Sequence, residues 1–256
     1  MVALSRFTRF RSLLLVSVAA LALSACATNH GSMAQPDFSA LPADQSASAL
    51  AKLEARYKSN PRDKATIIFY AAALRAANEA DQATNVIEGG LAAYPKDIDL
   101  KIAYAKALAA AGRFEQALNI VDDAIDPAAP DWNALLVKGA ILDQSGRNED
   151  ARALYVQALK TNPNQAALEA NLGLSFAMTN DLAEAETHLR KAVSLPGANS
   201  QIRQNLALVI GLQGRFSEAE ALFAKELPPD QVEANMSYIR ALLTQQNRWD
   251  LIKNAT

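Results

Sequence analysis

Cysteine occurs once in these 256 residues, histidine twice and tryptophan twice, and aromatic residues make up only 6% of the chain. The single thiol, Cys26, excludes an internal disulfide framework and any metal site built on a cysteine cluster. Scarce aromatics beside a 50% hydrophobic content, with alanine the commonest residue, suit closely packed helices better than sheets. The sequence has no Gly-rich phosphate loop, nucleophile elbow or zinc-protease motif. It therefore reads as non-enzymatic, with no cofactor and no small-molecule substrate. His30 is expected to be inert, and His188 to be a solvated helix residue. A strong charge of either sign is also missing. The net charge is −2, and removing Arg6, Arg9 and Arg11 with an acid-free leader makes it −5, so nothing argues for nucleic acid. Acidic pairs such as Asp122-Asp123 and Glu218/Glu220 read as solvated faces.

Long hydrophobic runs are absent as well. The longest useful one, Leu13 to Ala22, is too short to remain as a spanning helix. It follows three arginines and precedes Leu23-Ser24-Ala25-Cys26. A basic start, a short apolar stretch and small residues before a cut describe a secretory signal peptide over residues 1–25. The tetrapeptide resembles the bacterial lipobox. That resemblance implies cleavage before Cys26, acylation of its thiol and of the new amino end, and stable anchoring by several chains. The plainer alternative is an ordinary secreted thiol after an Ala-ended cleavage site. Ala27, in place of the Asp often found in lipoproteins kept in the inner membrane, favours the periplasmic face of the outer membrane. Residues 26–45 then form a flexible tether reaching roughly 25 Å as a coil.

What the body does contain is a period. Asn78, Gly112, Gly146, Asn180 and Gly214 follow one another at intervals of 34. Gly and Asn are the residues that most readily take the left-handed conformation ending a helix. Ala49, Ala83, Ala117, Ala151, Ala185 and Ala219 form a second ladder five places later. A helical hairpin repeated every 34 residues is the tetratricopeptide repeat (TPR) period. The expected fold is all-α, a right-handed TPR superhelix of about five hairpins with flanking helices. A half-unit over 46–63 leads into repeats 64–97, 98–131, 132–165, 166–199 and 200–229. A capping helix over 230–256 follows, within one TPR domain spanning 46–256. Small residues at Ala71, Ala105, Gly139, Gly173 and Ala207 let the two helices of each hairpin approach. Glu226 departs from the small residue expected at its place. Asn247-Arg248-Trp249 echoes Gly214-Arg215-Phe216, so the cap reads as a decayed sixth unit.

In this register the first helices line a concave side, and the second, fifth, sixth, ninth and twelfth places of each unit should face a partner. These include Asn133, Leu136, Asp143, Asn171, Leu174, Gln204, Asn205 and Leu208. Asn171 and Asn205 occupy the same place. A carboxamide both donates and accepts, so the pair either holds the backbone of an extended peptide or satisfies neighbouring helix ends.

The stretch from Gln204 to Phe216, followed by Glu226-Leu227-Pro228-Pro229-Asp230-Gln231-Val232-Glu233-Ala234-Asn235 and Met236 to Arg240, together with the lipobox, resembles the TadD family. That family comprises TPR lipoproteins encoded with tight-adherence (Flp) pilus machinery. The resemblance implies a protein partner such as a secretin or another Tad component, with a role like that of a pilotin. The alternative from the residues themselves is a periplasmic TPR adaptor for another envelope process, such as peptidoglycan remodelling or outer-membrane protein assembly.

Overall fold

The computed structural model describes residues 43–254, with side chains over 45–245. The leader, Cys26 and nearly all of the tether lie outside the described residues. Twelve α-helices make up the described chain, and it contains no strand. α1 (Ala43–Ser59) comes first, and five hairpins follow: α2 (Lys64–Ala76) with α3 (Ala80–Ala93), α4 (Ile98–Ala110) with α5 (Phe114–Asp122), α6 (Trp132–Gln144) with α7 (Asn148–Thr161), α8 (Ala166–Met178) with α9 (Leu182–Ser194), and α10 (Ser200–Leu212) with α11 (Phe216–Phe223). The last helix is α12 (Pro229–Asn254). None of the helices among the described residues is long and apolar enough to cross a membrane.

The turn ladder has one geometry throughout. Asn78, Gly112, Gly146, Asn180 and Gly214 have φ of 63°, 76°, 84°, 63° and 83°. At each turn the residue after the left-handed one donates its N–H to a carbonyl near the end of the first helix. These bonds run from Glu79 to Leu74 (2.8 Å), Arg113 to Leu108 (2.9 Å), Arg147 to Leu142 (2.9 Å), Asp181 to Phe176 (3.0 Å) and Arg215 to Ile210 (3.2 Å). This is the Schellman closure, which satisfies carbonyls the helix end would otherwise leave open.

A further ladder, not singled out from the sequence, starts the first helices. Asp63, Asp97, Asp131 and Asn199 each accept a backbone N–H from the first turn that follows. Such caps are worth about 1 kcal/mol each. Gln165, at the same place before α8, makes no side-chain cap.

The described residues fall into two compact units, divided between Pro163 and Asn164. In the first, α1 packs on α2, the three hairpins close on themselves, and consecutive first helices α2, α4 and α6 also touch. Leu53, Ile67, Tyr70, Leu74, Ala83, Ile87 and Leu100 belong to one buried cluster there, with Tyr57 against Tyr70. The alanine ladder is at the centre of both units: Ala83, Ala117, Ala151, Ala185 and Ala219 are fully buried. Opposite Ala151, Gly139 makes room for a ring. A Cβ there would lie 2.5 Å from Tyr155 Cε1.

In the second unit α8 and α9 form the tightest hairpin, α9 and α8 both touch α10, and α12 packs on α10 and α11. A Cβ on Gly173 would meet the Ala185 carbonyl oxygen at 2.9 Å, and one on Gly211 would meet Ile239 Cδ1 at 2.7 Å. Val232, Met236 and Ile239 are the buried face of the cap. The expected sixth turn is not formed, because α12 runs unbroken through 247–249.

Candidate partner-binding face

The first helices decide what a partner could meet, and their expected contact residues divide into two groups. Asn133, Gln204 and Leu208 are half-buried, whereas Leu136, Asp143, Asn171, Leu174 and Asn205 are buried. The latter five thus do not form the open surface that the register suggests. The reason is close packing: first helices of consecutive hairpins touch one another, so inward side chains share that seam. Asp143 is tied by hydrogen bonds from the Tyr155 hydroxyl (2.9 Å) and Asn148 Nδ2 (2.7 Å). Gln204 donates to Ser200 Oγ at 3.0 Å.

Asn171 and Asn205 are each 1% exposed, and neither is fully satisfied. Asn171 Nδ2 donates to the Ala167 carbonyl at 2.8 Å, leaving Oδ1 without a partner. Asn205 Oδ1 accepts from Gln201 Nε2 at 3.2 Å, leaving Nδ2 without one. An unmade hydrogen bond on a buried group costs about 1–3 kcal/mol. Both partners lie four residues earlier on the same helix, so neither amide is seen to satisfy a neighbouring helix end. The same place in the first unit holds Phe69, Ala103 and Val137, none of which needs a partner.

His188 corrects its sequence reading. It is not a solvated helix residue: its side chain is 24% exposed, its ring lies flat on Phe176, and Nδ1 is 2.8 Å from Glu169 Oε2. Lys191 reaches the other oxygen of Glu169 at 2.6 Å. Glu169 is 19 residues earlier, on the facing helix, and Gly173 permits the approach. Burial by itself would raise the Glu169 carboxyl, but hydrogen bonds from His188 and Lys191 outweigh it and hold the group below its ordinary value. Glu169 is almost completely buried, and both of its oxygens are met, one by the His188 ring nitrogen and the other by the Lys191 ammonium.

Other charges expected to be merely solvated form ion pairs within a hairpin or between consecutive ones. Asp122 pairs with Lys138 at 2.6 Å and Asp123 with Lys101. Glu218 and Glu186 share Arg190 and Arg215. The irregular Glu226 is bound by Arg203 through both oxygens, at 2.5 Å and 3.0 Å. This pair closes the fifth hairpin where a small residue was expected. Among the described residues no group of three or more His, Cys, Asp or Glu is placed to hold a metal.

Two models of tetratricopeptide repeats match the chain, one over residues 136–201 and one over 100–123. The comparison with curated proteins gives no match. Among solved structures, a thermophilic TPR protein of Thermus thermophilus, TTC0263, is 22% identical with a TM-score of 0.60, covering 68% of this chain and 97% of that one. The human IFIT1 dimer with m7Gppp-AAAA is 17% identical with a TM-score of 0.59, and the match covers 77% of this chain but 49% of IFIT1. The APC/C heterotetramer Cut9–Hcn1 is 14% identical with a TM-score of 0.59, over 81% of this chain and 40% of that one. Family models and structural neighbours together support the TPR family, and the all-helical architecture of stacked hairpins is the TPR fold.

Proposed function

We propose that the protein is a non-enzymatic, lipid-anchored scaffold on the periplasmic face of the outer membrane that binds a protein partner in tight-adherence pilus assembly. The partner class is a secretin or another component of that machinery. Cys26 carries the anchor, and the tether stands the repeat body off the membrane. The fold supports the binding role in general terms, since hairpin stacks present long faces built from successive first helices.

The observation that carries the narrower reading lies at the C-terminal end. Residues behind the TadD resemblance meet one another in space. Gly211 makes room for Ile239, and the Arg240 guanidinium lies 5.7 Å from the Phe216 ring centroid. The stretch is thus one packed unit, which is what a shared structural role requires of scattered matching residues.

Two experiments test the reading. Fractionation of the Cys26→Ser variant should move the protein from the membrane to the soluble periplasm; a variant that stays in membranes places the anchor elsewhere. Crosslinking and pull-down from envelopes should recover secretin or other Tad proteins. Recovery of peptidoglycan-remodelling enzymes or outer-membrane assembly factors instead would select the adaptor alternative.

A further inference from the structure

The two ends of the repeat array are finished differently. Terminal helices of such an array need outer faces that tolerate water. α1 meets that need: its exposed residues, from Gln45 to Ser59, are all small, polar or charged. α12 does not. Two interleaved rows run along it, each with residues alternately four and three apart, the spacing of a helix–helix seam. In the first row Val232, Met236 and Ile239 are buried and Leu243 is half-buried, and the row then turns polar at Gln246, Asp250 and Lys253. The second row, Tyr238, Leu242, Gln245, Trp249 and Ile252, keeps apolar residues to the end of the helix. Tyr238 is 36% exposed, Leu242 is half-buried and Gln245 is exposed. Ala234 and Ala241 flank this row, exposed and small, so that another helix could lie close.

The second row is complementary to itself in one antiparallel register. Traced back along the helix it includes Asn235, which is half-buried. Setting Leu242 against Tyr238 of a second copy, about a two-fold axis, also sets Asn235 against Gln245. Apolar then meets apolar, and amide meets amide. Charge favours the same direction. Asp230 and Glu233 lie in the first two turns of α12, whereas Arg248 and Lys253 stand in its last two turns with Asp250 between them. Antiparallel pairing brings the acidic start of one helix beside the basic end of the other and opposes the two helix dipoles. A parallel pair would align acid with acid.

We propose that the protein is a homodimer joined through its C-terminal caps, with α12 of one copy packed antiparallel on α12 of a second copy. Tyr238 and Leu242 of both copies surround the two-fold axis. The amides of Asn235 and Gln245 fix the register, at some cost in stability, as buried amides do in coiled coils. An isologous interface of this kind closes at two copies and builds no filament. Dimerisation through the caps is independent of which protein the repeats bind.

The test uses the full chain, in its own membranes and in detergent. Ala241→Cys, beside the axis, should yield a disulfide-linked dimer on mild oxidation of the membranes. Glu233→Cys, on the far side of the helix from the second row, should not; Cys26 is common to both variants. In detergent, light scattering with the micelle's share subtracted should give the mass of two chains. Tyr238→Glu sets a carboxylate against Leu242 in both halves of the interface and should weaken dimerisation about a hundredfold. The helical circular dichroism should be kept, because Tyr238 is exposed. If Tyr238→Glu fails to fold, the two cysteine variants decide alone. A single-chain mass at every concentration, a dimer indifferent to Tyr238→Glu, or equal crosslinking from positions 233 and 241 would overturn the proposal. So would Ala241→Cys linking only to a different protein, which would assign the second row to that partner. Loss of the dimer would leave the pilus reading intact, and recovery of no Tad protein by a chain that crosslinks through position 241 would do the reverse.

Discussion

The two compact units are built from the same hairpin but use polarity differently. In the first, the faces of the first helices are rich in cations: Lys64, Arg75, Lys101, Lys106 and Lys138 against Asp99 and Asp143. Lys64, Lys101 and Lys138 reach carboxylates at the ends of neighbouring elements. In the second, α8 and α10 have one charge each, and both are committed within the unit. The free hydrogen-bonding capacity there belongs to carboxamides instead. Charge serves the first unit as a fastener between repeats. The second unit places its fasteners on second helices, where Glu186 and Glu218 share Arg190 and Arg215, and leaves the facing helices one charge each. Identical repeat geometry therefore does not imply an identical binding face.

That contrast can be broken most severely at its tightest seam. Gly173→Val should cost about 3 kcal/mol or more, since the added Cβ meets a backbone carbonyl and Leu189, which cannot both retreat. Hydrogen exchange should show protection lost in 164–256 and largely kept in 64–163; equal loss in both units would contradict their independence. Next comes the turn. Gly146→Val forces a branched side chain to φ near 84°, where about 1–3 kcal/mol is expected, and thermal melting should show it. An unchanged melt would remove the turn assignment.

Removing one charge should have a smaller effect. Glu169→Gln keeps the shape but leaves His188 and Lys191 without their carboxylate, and about 1 kcal/mol is expected after discounting the exposed Lys191. Chemical denaturation should register the loss in the second unit.

Acid should separate the units in the same direction. Glu169, Glu186 and Glu226 all lie below their ordinary values: burial opposes the shift at the first two and is outweighed by hydrogen bonds from their partners, while the Arg203 hydrogen bond leads at Glu226. A depressed carboxyl stabilises the fold above its unfolded value near about 4.3. That stability is lost as the pH falls from there through the lower folded value. Protection in 164–256 should therefore decay before that in 64–163 as the pH drops below about 4.5, as read by hydrogen exchange at stepped pH. The smallest effect is Asn180→Gly, a gain of a few tenths of a kcal/mol, because Gly carries no Cβ penalty at φ 63°. A loss would mean that the Asn180 side chain makes a contact of its own.

Much of the fold was legible because each hairpin repeats its signals in one register. The left-handed turn needs Gly or Asn, the helix crossing needs Ala, and both requirements recur at 34-residue intervals that no insertion disturbs. The cap ladder of Asp63, Asp97, Asp131 and Asn199 stands in the same register but is harder to see. Gln165 interrupts it, and two residue types share the remaining places.

What lay beyond the sequence were pairings across hairpins. His188 finds Glu169, and Glu226 finds Arg203, at separations of 19 and 23 residues, which follow no helical period. Periodicity named Asn171 and Asn205 as a pair. It could not indicate that each would be buried with one atom unsatisfied, because that depends on how closely neighbouring helices approach.

The most direct test of the account is deletion of the protein from its own cell, with surface pili and secretin multimers measured beside strains complemented with the native chain and with Cys26→Ser. The account predicts that pili and multimers are lost on deletion, restored by the native chain and not restored by the unanchored variant. Normal pili and normal secretin multimers in the deletion strain would contradict it.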